Sequence, residues 1–155
     1  MSTFETAAFG AGCFWGVEEA FSELKGVIET SVGYMGGSVK NPSYKLVCSG
    51  ETGHAEVVQV VFDPKIISYR ELVDFFWTIH DPTQLNRQGP DYGEQYRSVI
   101  FYYSEEQKET ALASLEKARS KFKEKIVTQI VPANGFNKAE EYHQKYLQKR
   151  GLKVC

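Results

Sequence analysis

Two hydrophobic rhythms alternate along the chain. Phe4–Ala11 reads as a short strand running into a glycine turn, and Trp15, Val17, Ala20, Phe21 and Leu24 then recur at helical spacing until Gly26 ends the run. Val27–Tyr34 predicts a second strand. From Met35 to Gly53 the periodicity breaks up, with Gly36-Gly37, Asn41-Pro42 and Ser49-Gly50 as turn signals, so this stretch reads as a long loop. Ala55–Phe62 is the clearest strand, rich in valine and closed by Asp63-Pro64. Ser68 and Glu71 form a capping box ahead of a helix through Leu72, Phe75, Phe76 and Ile79 that stops at Asp81-Pro82. A second irregular stretch, Asp81–Arg97, leads to a strand over Ser98–Tyr103 and a helix capped by Ser104 that runs to about Phe122. A strand over Ile126–Val131, a turn over Pro132–Lys138 and a last helix over Ala139–Arg150, ended by Gly151, complete the chain.

The first six elements run β-α-β-β-α-β, the order of the split βαβ or ferredoxin-like arrangement. The expected fold is α/β (α+β): a two-layer sandwich with a ferredoxin-like core plus additional C-terminal helices and a strand. Residues 1–155 read as one domain, long enough to bury a core without staples and without linker, repeat or low-complexity tract.

Charge and cysteine usage narrow the class. Lys and Arg number 18 against 20 Asp and Glu, a net charge of −2, so a nucleic-acid partner is not expected. The late basic runs, Lys117–Lys125 and Lys145–Lys153, are interleaved with apolar residues at helical spacing and read as solvated faces. The amino end lacks a cationic segment followed by an apolar run, and no apolar run approaches the ~18 residues of a membrane span. A cytoplasmic, non-membrane protein is expected, with a monomer as the default. Three widely spaced cysteines with no Cys-x-x-Cys pair suggest neither a zinc cluster nor a secreted disulfide framework, and no metal site is expected.

The candidate chemistry centres on Gly10-Ala11-Gly12-Cys13-Phe14-Trp15-Gly16. A small-residue turn presents one thiol at the predicted start of a helix, where unsatisfied N–H groups and the macrodipole favour thiolate. Phe14 and Trp15 beside it would form an apolar cup suited to a small group such as a methyl. Cys13 could equally be a small buried hydrophobe, and the two rings core packing. Glu56 stands at the head of an apolar strand, where desolvation would raise its pKa toward a value useful for a general acid; otherwise it is a strand-end surface carboxylate. His54 could serve as a base for Cys13 or be structural, His80 reads as a helix-end hydrogen bonder, and His143 as packed or exposed in mid-helix. Tyr44 and Tyr96, each in an irregular stretch, could offer phenolic donors to a substrate oxygen or be packed aromatics.

Seven motifs in order carry a resemblance. They are Gly12-Cys13-Phe14-Trp15-Gly16, Gly33-Tyr34-x-Gly36-Gly37, Gly53-His54-Ala55-Glu56, Phe62-Asp63-Pro64, His80-Asp81-Pro82-Thr83, Asn86 to Ser98, and His143-Gln144-x-Tyr146-Leu147. Together they resemble the A-type peptide methionine sulfoxide reductases over nearly the whole chain. The resemblance implies reduction of the S epimer of methionine sulfoxide, free or in proteins, a repair known to use one enzyme per sulfoxide epimer. It implies Cys13 as nucleophile, Phe14 and Trp15 as the pocket for the substrate methyl, Glu56 as the acid, Tyr44 and Tyr96 as donors to the sulfoxide oxygen, and Asp91 as the group orienting substrate or a water. No bound cofactor is implied, only an external dithiol reductant such as thioredoxin.

The product on the enzyme would be a Cys13 sulfenic acid that another thiol resolves. Most relatives carry that thiol in a longer glycine-rich tail, whereas this sequence ends Gly151-Leu152-Lys153-Val154-Cys155. Cys155 is the first choice, Cys48 the second, and direct reduction by an external thiol the third. Rival readings are a peroxide-reactive thiol enzyme or redox sensor, a cysteine hydrolase using His54 or His143, and a non-catalytic module that binds oxidised peptides through Phe14 and Trp15.

Overall fold

A six-stranded mixed sheet organises the computed structural model, which describes residues 3–50 and 52–146. In chain order the elements are β1 (Glu5–Gly10), α1 (Phe14–Ser22), β2 (Val27–Met35), α2 (Tyr44–Cys48), β3 (Ala55–Phe62) and α3 (Tyr69–Phe76). Then follow β4 (Arg87–Gln88), β5 (Asp91–Tyr92), β6 (Val99–Tyr102), α4 (Glu105–Ala118), β7 (Gln129–Pro132) and β8 (Asn137–Lys138). The large sheet runs β7-β6-β1-β3-β2-β8, and β4 with β5 forms a separate small hairpin. All pairs in the large sheet are antiparallel except β6 with β7, which is parallel.

Period-2 alternation sorts each strand between two faces. Ala7 and Phe9, Val32 and Tyr34, Val58, Val60 and Phe62, and Ile100 share one core with Phe14, Val17 and Phe21 of α1, with Leu72, Val73 and Phe76 of α3, and with Ala111 and Ala118 of α4. Their neighbours Ala8, Met35, Ala55, Val57, Val99 and Phe101 form a smaller core on the other face, closed by Val131, Ala133 and Phe136. The capping box at the start of α3 forms as the Ser68 and Glu71 pattern predicts, each side chain bonded to the other's backbone.

Two irregular stretches hold short elements that their sequences do not announce. The Met35–Gly53 stretch contains α2, a five-residue helix capped by the Ser43 hydroxyl on the Leu46 amide. The Asp81–Arg97 stretch contains the β4–β5 hairpin and a 3-10 turn over Glu94–Tyr96. The Gln88 side chain holds this hairpin in place, accepting from the Asp81 amide and donating to the Asp81 carbonyl.

The helix expected over Ala139–Arg150 is not formed from Ala139 to Lys145. Those residues make one 3-10 turn, Glu141–His143, followed by a turn in which Lys145 takes a φ of 51°. The physical reason is that this segment is claimed by the sheet edge. The Ala139 amide donates to the Val32 carbonyl, and the Gln144 amide group bonds both the N–H and the C=O of Val32. The spacing of Ala139, His143 and Tyr146 looks helical, yet it serves a chain laid across β2 and α1. Gly33 makes that approach possible, because a methyl there would collide with the Asn137 carbonyl and stand 2.6 Å from the Phe136 ring. The strand expected at Ile126–Val131 starts later, at Gln129, and the long helix ends at Ala118 in a 3-10 turn. Among the described residues no helix is long and apolar enough to cross a membrane.

Candidate active site

Cys13 is the N-cap of α1, reached through a turn in which Gly12 has a φ of 98°. Gln88 packs against Gly12, where an added Cβ would stand 2.9 Å from it, so the hairpin overlies the cysteine turn. Cys13 is half-buried, and the first turn of α1 carries no acidic residue of its own.

Glu56 on β3 is 1% exposed, and its Oε1 accepts from the backbone N–H of Phe14 at 3.2 Å. The carboxyl is therefore tied to the residue that follows Cys13. β3 pairs Glu56 with Tyr34, which places the carboxyl on the helix side of the sheet.

The Phe14 ring is buried, and three partners surround it: Tyr34 at 5.7 Å, His143 at 5.3 Å and Tyr44 at 6.2 Å between ring centroids. Trp15 is half-buried, with Tyr146 stacked on it at 3.8 Å and 9°. Its indole Nε1–H donates to His143 Nδ1 at 2.9 Å. The two rings beside the cysteine are thus built into one aromatic cluster that draws on both ends of the chain.

Burial pushes the hydroxyls of Tyr34 and Tyr44 well above the ordinary phenol range, with the Glu140 charge next for Tyr34 and the Glu56 charge next for Tyr44. Tyr96, in the 3-10 turn after Asp91, is pushed up to about 12, by burial first and then by the charges of Glu56, Cys48, Asp91 and Cys13. Tyr96 is thereby within electrostatic reach of all four groups, and Tyr44 of Glu56, Cys48 and Tyr96. Both hydroxyls stay protonated, and so stay donors, throughout the neutral range.

Cys48 closes α2 and is exposed. Partial burial raises its thiol pKa, a hydrogen bond from the Tyr44 hydroxyl works against that, and the Glu56 charge adds to it. Cys155 lies outside the described residues.

The histidines divide by partner. His54 Nδ1 accepts from the Gly37 amide at 3.0 Å, and its Nε2 bonds the Val39 carbonyl, so both nitrogens brace the loop before α2. His80 bonds the Phe76 carbonyl and the Ser98 hydroxyl, as its position at a helix end suggests. His143, read from sequence as mid-helix, is instead buried in the aromatic cluster, and burial lowers its pKa against the opposing Glu140 charge. Tyr34, Glu140 and Tyr146 are the cluster members to which residue-by-residue reading assigns no role, while the packed alternative for His143 is the one that holds. Glu140 joins two of the others, taking the Tyr34 hydroxyl at 3.3 Å and the Tyr44 amide at 3.2 Å. The sequence signals for the group are the motifs Gly33-Tyr34-x-Gly36-Gly37 and His143-Gln144-x-Tyr146-Leu147. Among the described residues no group of three or more His, Cys, Asp or Glu side chains is placed to hold a metal ion.

Comparison with known proteins covers nearly the whole chain. The family model described as peptide methionine sulfoxide reductase matches residues 5–155. The chain is 58% identical over 157 aligned residues to the peptide methionine sulfoxide reductase MsrA of Methanothermobacter thermautotrophicus, covering 100% of this chain and 93% of that protein. Among solved structures, methionine sulfoxide reductase A of Corynebacterium diphtheriae superposes with a TM-score of 0.93 at 41% identity, covering 98% of this chain and 77% of that one. Mxr1 of Saccharomyces cerevisiae, solved in complex with Trx2, superposes with a TM-score of 0.66 at 29% identity, covering 92% of this chain and 84% of that one.

Proposed function

The chain belongs to the peptide methionine sulfoxide reductase family and reduces methionine sulfoxide to methionine, and from that premise we propose which side chains carry the reaction and what restores them. The activity is that of a peptide-methionine (S)-S-oxide reductase.

Cys13 is the nucleophile. Its thiolate attacks the sulfoxide sulfur while the oxygen takes up a proton; the oxygen ends on Cys13 as a sulfenic acid, Cys13 sulfur loses two electrons, and methionine leaves with its sulfur reduced. A sulfoxide oxygen leaves poorly unless protonated, so the reaction needs an acid and donors aimed at that oxygen. Glu56 is the acid, and the observation that carries the reading is its burial beside the amide that follows Cys13. A carboxyl taken out of water is harder to ionise, which suits a group that must deliver a proton. Tyr44 and Tyr96 supply the donors, Tyr44 by turning from Cys48 to the substrate. Phe14 and Trp15 receive the methyl group, and Asp91, half-buried on β5, orients the substrate or a water.

A second thiol then condenses with the sulfenic acid, releasing water and leaving a disulfide. Cys155 is our first choice and Cys48 the alternative, which its exposure at the end of α2 supports. The substrate is the sulfoxide free or in proteins, and the disulfide is reduced by an external dithiol. Thioredoxin is the reductant we favour, on the strength of the yeast complex with Trx2. We read β6-β1-β3-β2 as the ferredoxin-like core of a two-layer sandwich, and residues 1–155 as one catalytic unit acting as a monomer in the cytoplasm.

A thiol count after one turnover tests this assignment. With excess S-epimer sulfoxide and no reductant, the wild type forms one equivalent of methionine and loses two thiols, while Cys155→Ser loses only that of Cys13. Loss of two thiols in Cys155→Ser and of one in Cys48→Ser transfers the resolving role to Cys48. Methionine formation by Cys13→Ser overturns the choice of nucleophile.

A further inference from the structure

Glu18 lies on α1 three residues after Trp15, on the same side of the helix, and is 2% exposed. Neutral donors occupy its two oxygens. Thr30 Oγ1 donates to Oε2 at 2.8 Å, and the backbone N–H of Lys145 donates to Oε1 at 2.6 Å. The Lys145 ammonium reaches past the carboxylate to the Thr30 carbonyl at 3.3 Å. Burying a carboxylate on neutral donors is costly, so such a group stabilises a specific geometry rather than the fold in general. The geometry here is the left-handed backbone of Lys145, with its φ of 51°.

Lys145 stands between the two residues that hold Trp15. His143 takes the indole N–H, and Tyr146 covers the indole face. The carboxylate binds the backbone between them, one helical turn from the ring they grip. We infer that Glu18 is a positioning residue for the substrate pocket: it clasps the Lys145 amide to α1 and so locks the Trp15 ring between His143 and Tyr146. The inference rests on the reading of Trp15 as a wall of the methyl pocket.

A clasp of this kind acts on substrate binding more than on the chemical step. In Glu18→Ala, confirmed folded by its melting transition, KM for methionine sulfoxide rises about tenfold while kcat stays within about twofold. The Trp15 indole N–H resonance, assigned by its loss in Trp15→Phe, shifts in the same variant. Glu18→Gln keeps an acceptor for Lys145 and a polar partner for Thr30, whose hydroxyl can turn to accept, and it returns KM to within about threefold of wild type. If Glu18→Ala does not fold, Thr30→Val removes one of the two donors and shows a smaller KM rise with the same indole shift. Wild-type KM and an unmoved indole resonance in a folded Glu18→Ala, or in Thr30→Val where that is the variant used, overturn the inference. An unchanged KM in Trp15→Ala together with a shifted indole in Glu18→Ala means that the clasp holds and the pocket reading fails.

Discussion

Glu56 Oε1 accepts a hydrogen bond from the Phe14 amide at 3.2 Å, joining two residues 42 positions apart across the junction of β3 and α1. The bond sets the distance between the carboxyl and the residue after the thiol, and it also satisfies one of the amides that every helix start leaves without a partner.

Separating those two roles gives the first prediction. Glu56→Gln retains an acceptor for Phe14 but has no acidic proton to give, so the methionine-forming rate in a single turnover falls by roughly 100-fold or more while the melting temperature barely moves. Glu56→Ala loses the same rate and also leaves the Phe14 amide without its partner, at a cost of about 1–3 kcal/mol in stability. A full-rate Glu56→Gln would remove Glu56 from the acid role.

Tyr44→Phe and Tyr96→Phe each delete one donor to the sulfoxide oxygen. Each slows the methionine-forming step by roughly 10- to 100-fold, and together they slow it more than either alone. Tyr44→Phe has a second readout. The Tyr44 hydroxyl works to lower the Cys48 thiol pKa, so its removal raises that pKa further and slows iodoacetamide labelling of Cys48 at pH 8.

His80 makes stability depend on pH. Burial lowers its pKa from 6.5 to about 4, and the bonds to Phe76 and Ser98 hold the ring in place. Because the folded-state value lies below the unfolded one, the unfolded chain takes up the proton first as pH falls. The stability that depends on a neutral His80 is complete above pH 6.5 and is lost progressively toward pH 4, by up to roughly 3 kcal/mol. Denaturant midpoints of wild type and His80→Gln measured across that window should differ in slope, with the variant flatter.

Trp77 on the far side of the core is anchored by a relay: its indole N–H donates to Ser114 Oγ at 2.8 Å, and that hydroxyl donates to Asp74 Oδ1 at 2.6 Å. Ser114→Ala leaves the buried indole without an acceptor, costing about 1–3 kcal/mol by chemical denaturation. None of these residues belongs to the aromatic cluster around Cys13, so kcat and KM stay at wild-type values.

Most of the sheet and its helices were legible because local chemistry and tertiary need coincide there. The valine-rich β3 and the Ser68–Glu71 box each predict the element they form, whereas α1 ends at Ser22, four residues before the glycine expected to stop it. The stretch after Ala139 was misread because its periodic residues answer to partners far away. Gln144 bonds Val32 across 112 positions, and no local pattern encodes that. The helix α2 was missed for a related reason: five residues are too few to show a period, and its Ser43 cap is one serine in a turn-rich stretch. At the site, Cys13 and Glu56 stood out as chemistry at element ends. His143 is visible only as a packed or exposed histidine or a rival base, because its bond to Trp15, 128 positions earlier, leaves no local trace.

The segment from Asn137 to Tyr146 is anchored by a two-residue strand, one 3-10 turn and a handful of side-chain bonds, whereas β1, β2 and β3 are bound by a continuous ladder. Protection against hydrogen exchange should divide along that line. Amides of the central strands exchange only when the whole molecule unfolds, while those of the late segment exchange through a local opening of lower free energy. The half of the aromatic cluster carried by His143 and Tyr146 should thus part from Trp15 while the sheet stays intact.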